Sequence, residues 1–109
     1  MTVVALDNDK SSIIESYKAR HQEAVKKSTE LLAKLQTLSH SQMMIIRVQM
    51  CLRYLSGSYN EVLHLQHSPV IVSFDHFLAK YVNALELLEK TVQDILNQIR
   101  SNQQKFYSK

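Results

Sequence analysis

"FDHFLAKYVNALELLEKTVQDILNQIRSNQQKF", residues 74–106, is the stretch from which the fold can be read. Neither glycine nor proline interrupts it, and an apolar side chain recurs at nearly every third or fourth position. Leu78, Leu85, Val92, Ile99 and Phe106 repeat every seven residues, as do Phe74, Tyr81, Leu88 and Ile95, offset by four. Two such series are the a and d positions of a heptad, the seam along which a helix packs on its neighbours. Val82 and Leu96 widen that seam on one flank. One long helix is expected over 74–106, capped by Ser73, with Asp75 in its first turn where a carboxylate suits the helix dipole.

Ahead of it, "PVIVS" (69–73) reads as an extended crossover, because the residue before a proline is steered away from helix. The preceding stretch, "QMMIIRVQMCLRYL" (42–55), carries two apolar stripes. Met44, Ile45, Val48, Leu52 and Leu55 form one; Met43, Ile46, Met50 and Tyr54 form the other. Gln42, Gln49, Arg53 and Ser56 leave only a narrow polar strip. A helix apolar over most of its circumference is either central in its own fold or covered by a partner. Gly57 is the chain's one glycine, and Ser58 with Glu61 has capping-box spacing, so a kinked helix over 41–67 is expected.

In residues 11–38, Ile14, Tyr17, Ala24, Leu31, Leu35 and Leu38 recur at helical spacing. Ser12 with Glu15 is a capping box that would start this helix, and Glu23–Lys27 and Glu30–Lys34 are i,i+4 pairs on its outer side. Ser39 with Gln42 offers a further capping box, placing a turn at 38–41; a single helix over 11–56 is the alternative. At about 1.5 Å per residue the three helices are roughly 42, 40 and 50 Å long. Rods of similar length with short connections stack antiparallel, up-down-up. The expected fold is thus all-α: a three-helix bundle over 11–109 as one domain, preceded by a flexible segment at 1–10. One glycine and one proline in 109 residues agree with long helices and few turns.

Composition narrows the function classes. The formal charge is +3, but basic and acidic residues are interleaved, and only the end beyond Asp94 is one-sided, with Arg100, Lys105 and Lys109. Nucleic-acid recognition normally clusters Lys and Arg with few acids among them, so it stands as the alternative reading. Cys51 is alone, which excludes an intrachain disulfide and fits a reducing compartment, cytoplasm or nucleus. "MTVVALDNDK" (1–10) lacks the basic start of a secretory signal, and no stretch has the roughly 20 apolar residues of a membrane span.

No glycine-rich phosphate loop, nucleophile elbow or apolar-set carboxylate pair occurs, so an enzyme is not expected and no cofactor is implied. His64 and His67 stand at i,i+3 near His76 without the cysteines or HExxH partner of a zinc site, so no metal is assigned. His21 reads as a satisfied, half-buried histidine, and Cys51 as an inert thiol on an apolar helix. What remains is surplus apolar surface: the second stripe, Met43, Ile46, Met50 and Tyr54, and the far end of the last helix, Ile99, Phe106 and Tyr107. Met43, Met44 and Met50 suit equally a malleable docking face or gap-filling within the core. The expectation is a non-catalytic helical interaction module, an adaptor, chaperone or scaffold subunit of a larger assembly. Its partners would be other helical proteins or a second copy of itself.

Overall fold

The seam of the last helix finds its cover within the chain. A computed structural model describes the backbone of residues 3–39, 41–68 and 71–108, and side chains within 9–102 apart from those of 40 and 69–72. Four helical segments follow one another: α1 (Val3–Ser16), α2 (Lys18–Leu35), α3 (Gln42–Leu65) and α4 (Ile71–Ser108). α1 and α2 are one rod bent at Tyr17, so the architecture is a bundle of three antiparallel rods, with no strand among the described residues. α3 and α4 form the most extensive pair, and α2 packs on both.

The core is one cluster drawn from every rod. Phe74, Tyr81, Leu85, Leu88 and Ile95 of α4 meet Val48, Leu55 and Val62 of α3 and Leu35 of α2, all with no more than 1 % of their surface exposed. Each such side chain stabilises the fold by roughly 1.5–3 kcal/mol relative to exposure. The heptads of α4 therefore pack on the first two rods, as their period predicts. The bundle is narrow for its length, 67 × 19 × 18 Å along its principal axes with a radius of gyration of 17.8 Å.

Helix boundaries depart from those expected at the serines with capping-box spacing. Residues 3–10, expected to be flexible, are helical and continue into α1. Lys10 is only 3 % exposed; its ammonium donates to the Ser68 carbonyl and lies 5.6 Å from the Phe74 ring centroid. Ser12 is therefore mid-helix and caps nothing. The true irregularity in this rod is at Tyr17, whose amide donates to the Ile14 carbonyl at 3.1 Å, one residue short of the α pattern. The Ile13 carbonyl instead accepts the Ser16 hydroxyl at 2.5 Å. A serine hydroxyl competing for a backbone acceptor is a recognised cause of helix bending.

The turn between α2 and α3 falls where expected, but Ser41 rather than Ser39 flanks α3, without a side-chain cap. Its hydroxyl turns back to the Leu35 and Leu38 carbonyls at 2.5 and 2.9 Å, satisfying acceptors at the end of α2. α3 runs through Gly57 without a break in its helical pattern, and Ser58 is buried mid-helix rather than starting a new turn. α4 begins at Ile71, so Ser73 lies inside it and the crossover is shorter than expected. Packing against two other rods outweighs the local preference of these serines and of Gly57.

Candidate functional site

α3 buries one face and leaves the other bare. At 100° per residue, Val48, Cys51, Leu55 and Val62 centre on one direction, and Met43, Ile46, Met50 and Tyr54 fall within an arc of about 80° some 130° away. The first group is at most 8 % exposed. The second is open to solvent: Met43 72 %, Ile46 46 %, Met50 63 % and Tyr54 40 %. These four make up most of the exposed large apolar side chains among the described residues, the others being Ile13, Leu38 and Leu87. Scattered single exposures are ordinary, whereas these four share one arc of a single helix.

The stripe has defined ends. At the start of α3 a shallow depression lined by Leu38, Gln42, Met43 and Ile45 continues it around the corner. At its other end lies Gly57, in the same arc, where an added Cβ would meet nothing of this chain within 4 Å. Beyond, a mainly apolar depression lies among Asn60, Glu61, His64, Leu65 and Phe77, between α3 and α4. From Met43 to Gly57 the stripe is about 21 Å long, four helical turns. Arg47 and Arg53 are exposed on its opposite flanks, and no acidic residue occurs between Gln42 and Asn60. Neither arginine joins any of the ion pairs among the described residues.

The other expected docking residues separate from this face. Ile99 is 7 % exposed and belongs to the core, because the heptad position that marks it also turns it inward. The helix backbone reaches Ser108, but the side chains of Phe106 and Tyr107 lie outside those described.

The polar groups elsewhere are engaged in holding the rods together. Cys51 is buried, its thiol donating to the Thr91 hydroxyl at 3.6 Å. Arg20 clamps Glu89 through two hydrogen bonds of 2.8 and 2.7 Å, which raise its pKa further. Just inside it, His21 Nδ1 lies 2.8 Å from the Tyr81 hydroxyl, and the His21 ring is 4.5 Å from that of Tyr59. Burial lowers the His21 pKa and pushes the Tyr81 phenol up to about 12, so both stay neutral at pH 7. This cluster joins the bend of the first rod to both other rods, which sequence spacing alone does not reveal. His64 Nδ1 faces the Asn60 carbonyl at 2.9 Å. Among the described residues no three His, Cys, Asp or Glu side chains converge as metal ligands, and no helix is long and apolar enough to cross a membrane. No protein-family model, curated protein or solved structure matches the chain.

Proposed function

We propose that this chain is a non-catalytic docking module that binds a helix of another protein along the outer face of α3. One observation carries the reading: Met43, Ile46, Met50 and Tyr54 form an uncovered apolar stripe on a rod whose opposite face is fully packed. Burying such a stripe under a partner helix is helix-on-helix packing, with anchors at i, i+3, i+7 and i+11. Two of the four anchors are methionines, whose unbranched side chains repack readily against differing partners. An adaptor or scaffold subunit in a reducing compartment, cytoplasm or nucleus, suits both this surface and the single buried thiol.

The reading is tested by replacing Met50 with a photo-crosslinking phenylalanine and, as a control, placing the same group at exposed Lys90 on α4. In native extract, position 50 is expected to form a discrete protein adduct, mapped by mass spectrometry to an amphipathic helical segment, while position 90 forms none. Equal labelling at the two positions, or adducts to nucleic acid instead of protein, would remove the basis for the proposal.

A further inference from the structure

The stripe also specifies the chemistry of its occupant. We infer that it takes an amphipathic helix whose apolar seam is flanked by carboxylates, an inference that rests on the docking reading above. Arg47 and Arg53 frame the stripe on opposite sides, six residues apart, which is about 9 Å along the axis. Among the described residues neither forms an ion pair, and no acidic residue lies between Gln42 and Asn60 to supply one locally. Two exposed guanidiniums bordering an apolar seam complement a helix that offers Asp or Glu on both its flanks.

A second copy of this chain fits less well. Pairing α3 with α3 would bring four guanidiniums along one seam with no carboxylate between residues 42 and 60 of either chain. The outer face of α4 does carry acids, Glu86 and Asp94, but Leu87 is its one exposed large apolar side chain among the described residues. That is too little to cover four anchors. Gly57 sharpens the geometry. It closes the stripe with bare backbone and free space above, so an incoming helix can approach most closely there.

The test uses the full chain and two fluorescent, hydrocarbon-stapled peptides of about fourteen residues, the length of the stripe. Both carry the same leucine seam, one with Glu and the other with Lys at the flanking positions. The acidic peptide is expected to bind about tenfold more tightly, since two weak exposed pairs replace two repulsions. Arg47→Glu with Arg53→Glu reverses the preference, and Met43→Glu with Met50→Glu abolishes binding of both, while far-UV circular dichroism stays unchanged. Equal affinity for the two peptides, or a preference that the arginine reversal leaves intact, overturns the acidic-flank inference and spares the docking reading. Binding of neither peptide overturns both. Two further outcomes also overturn the inference: a dimer in sedimentation equilibrium that Met50→Glu dissolves, or a short DNA duplex that binds the chain in place of the acidic peptide.

Discussion

The two faces of α3 share one backbone and a similar apolar content, yet they meet opposite environments. Inward, Val48, Leu55 and Val62 are at most 1 % exposed, and even the Ser58 hydroxyl is enclosed without a hydrogen-bond partner. Outward, two methionines, an isoleucine and a tyrosine stand exposed beside two exposed arginines. Apolar content therefore does not decide burial; the direction each residue takes around the helix does. The inner face is fixed by what this chain supplies, whereas the outer face is the one proposed above as the docking surface.

This contrast can be broken most forcefully from inside. Leu55→Ala removes a side chain 1 % exposed and is expected to cost about 2–5 kcal/mol in urea unfolding. A loss as small as that of an outer-face substitution would erase the distinction. Ser58→Ala should act in the opposite direction, raising stability by about 1–2 kcal/mol, because it deletes a buried hydroxyl with no partner and adds a better helix former. An unchanged or lower unfolding midpoint would show that the hydroxyl is satisfied.

Acidification probes the same inner side through His21, which touches Tyr59 of α3, Tyr81 of α4 and Tyr17 of its own rod through Tyr81. Burial lowers its folded pKa below the ordinary 6.5, so the unfolded chain binds the extra proton first. Stability is then fully present above about pH 6.5 and falls as pH drops towards the folded pKa. Thermal unfolding at stepped pH should show this slope, and His21→Phe should flatten it.

Gly57→Ala sharpens the outer side. With open space above the Cα, alanine should add about 0.5–1 kcal/mol to the free chain through helix propensity. The same change should weaken the stapled acidic peptide if close approach matters there. The smallest expected effect is that of Met50→Gln, within about 0.5 kcal/mol in the free chain, as for surface sites generally. A larger loss would mean that Met50 is packed within the monomer.

Strong period was legible and weak local chemistry was not. Of the heptad positions of α4, Phe74, Tyr81, Leu85, Leu88, Val92, Ile95 and Ile99 are buried, Leu78 is partly buried and the side chain of Phe106 lies outside those described; a seven-residue repeat over so long a helix admits one buried direction. Of the two stripes of α3, one turns inward, with Val48 and Leu55 buried and Met44, Ile45 and Leu52 half-buried, while the other is exposed; spacing alone did not say which would be covered. Serines misled, because one hydroxyl can cap a helix, bond backwards as Ser16 does, tie a corner as Ser41 does, or be enclosed like Ser58. Nothing local in the sequence chooses among these. The anchoring of Lys10 is invisible to local sequence because its acceptor, the Ser68 carbonyl, lies 58 residues away. The His21–Tyr81 contact was hidden by a similar separation.

The slender outline of the bundle affects how its assembly state must be measured. A compact chain of this length would have a radius of gyration of about 13 Å, against the observed 17.8 Å. On a gel-filtration column calibrated with spherical standards, a single copy will therefore elute early, at the position of a larger particle. Elution volume alone would mistake a lone rod for a dimer, so light scattering or native mass spectrometry is the measurement that counts subunits.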